Sequence, residues 1–301
     1  MYKILRPILA SRNSTRIQES LFATMTTSTL PKGFLTGPAP CLTKSKIDFT
    51  KEGIPGYEGK WAVVLDGVLT REECRQLVAA AEATTGGTWT RAQVNIGGGQ
   101  QAMLEDTRKC GRIIWDSREL MDKLLGRISS AVPEIHSLEN WPSVTGNGPA
   151  KRNEVWKMTR LNDRARFLKY VGGEYFKGVF DRILFEGTRH ADQSDLAHTD
   201  GTYETPDQLE RSYFTLHLYL NDPDEGEERL LGGATTFHAP YAYNRMEAHI
   251  DVAPKVGRVL LFQHRGLLHS GEDVLSGTKL TMRTDVMYAD RDDLAEREFL
   301  E

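Results

Sequence analysis

The sequence predicts an α+β domain whose helices pack outside a β core of sandwich or barrel type, such as a jelly roll. The hydrophobic period changes from helical to alternating at Arg166, so helices come first and strands later. The alternating segments are short, and turn chemistry separates them at 221–226, 253–257 and 275–277. The chain has 301 residues, enough for one large domain with a proper core.

Residues 1–45 differ in kind from the rest and are read as an N-terminal extension. The first 40 hold Lys3, Arg6, Arg12, Arg16 and Lys32 but one acid, Glu19; they are rich in Ser and Thr, and Met25 is a second candidate start. Basic, hydroxyl-rich, acid-poor composition fits a transit peptide or a disordered extension. Residues 48–60 read as a Gly- and Pro-bearing loop. The apolar run Trp61 to Leu69 is a buried strand. Thr70-Arg-Glu-Glu73 is a capping box, opening a helix that runs to about Ala83 and stops before Gly86-Gly87. The run Gly97-Gly-Gly99 has no helix directly after it, so it is a turn and not a phosphate cradle.

Asp116-Ser-Arg-Glu119 starts a second helix. Its stripe of Leu120, Leu124, Leu125, Ile128 and Val132 packs inward and ends at Pro133. Strands follow at 166–171, 213–220, 233–237, 249–252, 258–263 and 278–288. Between Tyr213 and Leu220 the alternation is strict. Phe214, Leu216, Leu218 and Leu220 face one way, and Tyr213, Thr215, His217 and Tyr219 the other. The domain is therefore drawn over 56–290, with 291–301 as a C-terminal tail.

Charge is nearly balanced, with 38 basic and 42 acidic residues, and no basic block stands out, so no nucleic-acid partner is expected. No apolar run is long enough to span a membrane. Cys41, Cys74 and Cys110 have no metal-type spacing and make a poor disulfide framework. A reducing intracellular compartment follows, cytoplasmic by default and mitochondrial if the extension is a targeting signal.

The chemistry concentrates at Ala197-His-Thr-Asp-Gly201. On an extended strand His198 and Asp200, two apart, point to one face and can grip one metal ion. A second imidazole from His269 completes a 2-His-1-carboxylate triad, which leaves positions open on iron(II). His190-Ala-Asp192 is a rival copy of the motif without the following Gly. His217, His238, His249 and His264 read as scattered structural or surface histidines. In the last strand Lys279, Thr281, Arg283 and Asp285 share a polar face, opposite Leu280, Met282, Val286 and Tyr288. A buried cation on that face needs a partner, and a co-substrate carboxylate would supply one.

With these residues the sequence resembles the Fe(II)- and 2-oxoglutarate-dependent dioxygenases of prolyl 4-hydroxylase catalytic-domain type. The matching pattern is His198, Asp200, His269 and Lys279. It is flanked by similar stretches at 63–74, 166–170, 232–237 and 277–288, and the resemblance covers roughly Tyr57 to Tyr288. It implies a double-stranded β-helix with Fe(II) on His198, Asp200 and His269. It implies 2-oxoglutarate and O2 as co-substrates, with ascorbate as an accessory. Lys279 would meet the far carboxylate of 2-oxoglutarate, Tyr170 would add a hydrogen bond, and Arg283 would contact co-substrate or a substrate acid. The implied reaction hydroxylates a C–H bond of a prolyl-like peptide or a small molecule and releases succinate. Asp200 argues against the halogenating relatives.

One departure is the segment 178–196. Joining Lys177 to Ala197 would restore the family pattern, so the segment is an insertion, either a lineage-specific loop or translated intron sequence. From other classes, a non-catalytic metal- or small-molecule-binding barrel and a cupin-like metal-dependent isomerase or lyase share the ligand pattern. Lys279 beside the triad favours the oxygenase.

Overall fold

The first strands form where apolar residues run together. In the computed structural model, which describes residues 30–92, 94–97, 100–102, 108–176, 198–240 and 248–300, β1 (Thr43–Lys46) pairs antiparallel with β2 (Ala62–Asp66). α1 (Arg71–Ala83) begins at the expected box. The Glu73 amide donates to the Thr70 hydroxyl at 3.1 Å, and the Thr70 amide to the Glu73 carboxylate at 2.8 Å. Its inner face buries Cys74, Leu77, Ala80 and Ala81. Short strands follow: β3 (Thr90–Arg91), the hairpin β4 (Val94–Gly97) and β5 (Gln100–Ala102), then β6 (Arg108–Lys109) and β7 (Gly111–Asp116). α2 (Arg118–Ile128) is capped by Ser117, whose hydroxyl accepts from the Leu120 amide at 3.3 Å. The predicted stripe continues past it as 3₁₀ turns at Ser129–Ala131 and Pro133–Ile135.

After β8 (Ser137–Glu139), α3 (Pro142–Thr145) and α4 (Asn147–Arg152), the chain becomes almost entirely strand. It forms β9 (Val155–Leu161), β10 (Arg164–Val171), β11 (Glu174–Phe176), β12 (Arg211–Tyr219), β13 (Leu231–Gly232) and β14 (Thr235–His238). Next come β15 (His249–Val252), β16 (Val259–Gln263), β17 (His269–Ser276) and β18 (Thr278–Asp290), before α5 (Arg291–Leu300) closes the described chain. His190, Asp192, the 178–196 insertion and the first 29 residues lie outside the described residues.

Apart from the separate β4–β5 hairpin, the described strands make two antiparallel sheets. The larger runs β1-β2-β16-β12-β18-β10-β7-β3, with β9 pairing β18 and β8 pairing β9; the smaller runs β15-β14-β17-β11-β6, with β13 on β17. The large sheet's helix-side face, with Val63, Phe167, Phe214, Leu216, Leu218, Leu261 and Met282, packs with Leu77 of α1 and Leu120 and Leu124 of α2. Its inner face meets the small sheet. Phe262 of β16 packs edge-on against Phe237 of β14, with ring centroids 5.4 Å apart.

Three expectations need correction. Tyr213 does not share the inner face with Thr215 and His217; it joins the helix-side core with Phe214. The β12–β18 register shifts between Ser212 and Phe214, and such a bulge turns one extra side chain to the same face. Residues 30–45, assigned to the extension, pack on the fold. Phe34 and Leu35 are 4% exposed within the helix-side core, and the Arg127 Nε donates to the Gly37 carbonyl at 3.0 Å. Two apolar residues in a Pro- and Gly-rich stretch give no period to read. The stretch 291–301, drawn as a tail, carries a helix over Arg291–Leu300.

Candidate metal centre

His269 opens β17 on the small sheet, and the chain returns to it at His198. Each residue's amide donates to the other's carbonyl at 2.8 Å. That single bridge sets the two imidazoles side by side, with ring centroids 4.4 Å apart. Asp200 follows on the same face. Its Oδ1 is 3.7 Å from His198 Nε2, and its Oδ2 is 3.6 Å from His269 Nε2. One ligand atom from each residue falls within 4.8 Å of the others.

The surroundings favour ligation. His269 Nδ1 lies 3.1 Å from the Leu267 carbonyl, which can only accept, so Nδ1 carries the proton and Nε2 keeps its lone pair toward Asp200. Burial lowers the His269 pKa, although Asp200 and the Leu267 carbonyl pull the other way. Burial works against the Asp200 charge, yet Arg283 and the two imidazoles hold its carboxyl well below the usual range. Arg283 Nη2 is 2.8 Å from Oδ1, and the Thr215 hydroxyl donates to Oδ2 at 2.6 Å. Two imidazoles and an ionised carboxylate fit a divalent transition metal.

The triad opens into a cavity lined from both sheets: Arg166, Leu168 and Tyr170 on β10, Thr215 and His217 on β12, Lys279 and Arg283 on β18, with Arg112, Thr235, Phe262, Ser270 and Gly271. Lys279 is 4% exposed and lies opposite Tyr170 in the β10–β18 register. Its ammonium is 5.4 Å from the Tyr170 ring centroid and 6.0 Å from that of Tyr219. Burial pushes its pKa down to about 8, against the pull of Glu272. Arg283, by contrast, is engaged at the metal side, on Asp200 and 3.4 Å from the Thr215 hydroxyl. Lys279 and Arg283 share a strand face but serve different parts of the cavity.

Sequence reasoning passed over Thr215, His217 and Arg166. The signal for the first two was the strict alternation of β12, which put them on the polar face. His217 was set aside among scattered histidines, yet it lines the cavity, half-buried. Burial, then Lys279 and Arg283, keeps its pKa well below the ordinary value, and Nε2 has no hydrogen-bond partner among the described residues. His264 is also buried, 3.8 Å from Asp285. His238 meets the Ser270 hydroxyl at 2.7 Å, and His249 is exposed.

No protein-family model matches the chain, and no curated protein does. Among solved structures it is similar to a viral collagen prolyl hydroxylase from Paramecium Bursaria Chlorella virus-1, solved with 2OG. The identity is 19%, over 77% of this chain and 98% of that one, with a TM-score of 0.40. It is similar to a Trichoplax adhaerens prolyl hydroxylase in complex with a hypoxia inducible factor peptide fragment, at 13% identity over 82% and 91% with a TM-score of 0.46. A Pseudomonas putida prolyl-4-hydroxylase matches at 14% identity over 81% and 100% with a TM-score of 0.45. Among the described residues no helix is long and apolar enough to cross a membrane.

Proposed function

We propose that the chain is an Fe(II)- and 2-oxoglutarate-dependent dioxygenase that hydroxylates a C–H bond on a double-stranded β-helix. The strand pattern supports the fold. β10, β12, β16 and β18 lie in one sheet in the order β16-β12-β18-β10, and β11, β14, β15 and β17 lie in the other as β15-β14-β17-β11. The chain crosses between sheets as a jelly roll requires.

The observation that carries the activity is a His-Asp-His cluster, half-buried at His198 and buried at His269, sharing one cavity with a buried lysine that has no ion pair among the described residues. His198, Asp200 and His269 would hold Fe(II), which, supplied with 2-oxoglutarate and O2, provides the oxidising power and yields succinate and CO2. Lys279 would bind the far carboxylate, a charge-assisted bond strengthened by its dry setting. Tyr170 lies beside that contact. Thr215 fixes the Asp200 carboxylate. Phe262, 4.7 Å from the His269 ring, and Phe237, at 6.2 Å, keep water from that side of the centre. A prolyl-like peptide and a small molecule are the two substrate types, with ascorbate as the reductant that keeps iron ferrous.

Incubation with Fe(II), ascorbate and 2-oxoglutarate should release succinate, and Asp200→Ala should not. Tight metal binding with no affinity for 2-oxoglutarate would replace this function with a non-catalytic barrel or a cupin-like isomerase or lyase.

A further inference from the structure

His217 lines the cavity, and the proposed reaction gives it no role. It stands on β12 two residues after Thr215 and two before Tyr219, so the three share one face of the strand. Its Nε2 is shielded from solvent and has no hydrogen-bond partner among the described residues. A buried nitrogen left unpaired costs free energy comparable to a lost hydrogen bond, so the group points to a partner that binds in the cavity.

The imidazole belongs to the Lys279 end. Its ring centroid is 4.8 Å from that of Tyr219, and the Lys279 ammonium is 6.0 Å from the same ring, so both groups border one aromatic side chain. After burial, Lys279 weighs most against a proton on His217, ahead of Arg283 and His269. The imidazole is therefore neutral, with one N–H and one lone pair. Tyr219 itself is committed elsewhere. Its hydroxyl lies 2.7 Å from the Thr235 hydroxyl and 3.2 Å from the Val252 carbonyl.

Resting on the oxygenase reading above, we infer that His217 is a second anchor of the co-substrate, its Nε2–H donating to the far carboxylate that Lys279 neutralises. A carboxylate carries one charge and about four lone-pair sites. The ammonium cancels the charge and fills part of those sites. A neutral donor fills another without adding a second cation to a dry pocket. Because a carboxylate only accepts, the contact places the imidazole proton on Nε2. The pair selects a 2-oxo acid with an anionic far end over one with an apolar end.

The test uses the full chain loaded with Mn²⁺. The probes are 2-oxoglutarate and 2-oxopentanoate, which share the chelating 2-oxo acid and differ in the far carboxylate. Chelation displaces metal-bound water, so water-proton relaxation by Mn²⁺ reads the binding of either acid without turnover. His217→Leu should weaken 2-oxoglutarate by about ten- to a hundredfold, as expected for one hydrogen bond to a charged group. It should leave 2-oxopentanoate binding unchanged, and Mn²⁺ affinity without either acid unchanged. His217→Gln, which restores a neutral N–H donor, should recover most of the loss. If His217→Leu does not fold, His217→Phe carries the same comparison.

2-Oxoglutarate binding that survives His217→Leu overturns the inference. An equal loss for both acids overturns it too, and moves the contact to the chelating end. So does an equal loss in His217→Leu and His217→Gln, which would assign the effect to ring shape and not to the donor. A fall in Mn²⁺ affinity without either acid also overturns it, and makes His217 a support of the metal ligands. Failure of the wild-type protein to bind Mn²⁺ or 2-oxoglutarate defeats the oxygenase reading and the anchor with it, whereas wild-type binding of both with an indifferent His217→Leu defeats the anchor alone.

Discussion

At the scale of single residues, the candidate centre depends on groups that touch no metal. Thr215 donates to Asp200 Oδ2 at 2.6 Å, from a strand fifteen residues on. Thr215→Val keeps the shape and removes the donor. The loss of such a supporting bond typically costs about 10–100-fold in metal affinity, and Co²⁺ or Mn²⁺ titration should show a fall in that range. Unchanged affinity would mean that Arg283 alone orients the carboxylate. Lys279 makes a separate prediction, in two parts of opposite sign. Its pKa is near 8 in the fold, against 10.5 for the free side chain. Between those values the unfolded chain binds more protons than the native one, so without co-substrate stability should rise with pH across that window. Over the same window the ammonium is lost, so 2-oxoglutarate affinity should fall. Lys279→Met should flatten both profiles. Lys279→Ala should raise the apparent 2-oxoglutarate constant by about one to three orders of magnitude while metal binding without co-substrate holds. A pH-independent wild-type affinity for 2-oxoglutarate would show that Lys279 does not face the co-substrate.

At the scale of elements, α1 and α2 are held together by a polar knot. Glu73, the N3 residue of the capping box, also accepts from Arg127 Nη2 at 2.6 Å and Nη1 at 3.0 Å. Arg127 is 8% exposed and donates further to the carbonyls of Val68 and Gly37, both at 3.0 Å. Thr70→Ala removes one cap and should cost about 1 kcal/mol. Glu73→Ala strands a buried guanidinium that keeps two carbonyls, and should cost about 2–3 kcal/mol. Urea unfolding should rank them in that order; equal losses would mean that the Arg127 contact adds nothing to stability. The caps of both helices were legible because Thr70/Glu73 and Ser117 are local signals. The Glu73–Arg127 contact was not, since nothing in a sequence couples positions 54 apart. The course of β17 beyond His269 was illegible for another reason. His269-Ser-Gly-Glu-Asp273 lacks alternating apolar residues, and the strand is held by pairing with β11, β13 and β14 on either side.

At the scale of the molecule, the alternating strands from Arg166 onward announced the β core, and the His-x-Asp spacing announced the centre. Pairing order stayed hidden, because backbone hydrogen bonds choose neighbours without regard to side-chain type. For the same reason the His198–His269 bridge, which joins residues 71 apart, appears only in three dimensions. The N-terminal boundary is the sharpest case. The sequence put residues 1–45 in an extension outside the domain, but residues 30–46 close one side of the helix-side core. Phe34 and Leu35 are both nearly fully buried there, and burying a side chain of that size is worth about 1.5–3 kcal/mol. β1 also covers the edge of β2 along four paired positions, Thr43↔Asp66 to Lys46↔Val63. Without it β2 becomes an exposed edge beside buried valines, a template for association. Gly67 reinforces the contact. A Cβ there would lie 2.3 Å from the Cys41 carbonyl oxygen, so that stretch of chain passes directly over the turn after β2. A chain beginning at Leu30, which keeps this contact, is the reference. One beginning at Ile47 should lose several kcal/mol, on the order of the two buried side chains together, and should associate at rest. Metal affinity should survive in whatever fraction stays folded, because the centre lies on the opposite face of the large sheet from Phe34 and Leu35. Equal stability of the two truncations by calorimetry would show that residues 30–46 rest on the core without holding it.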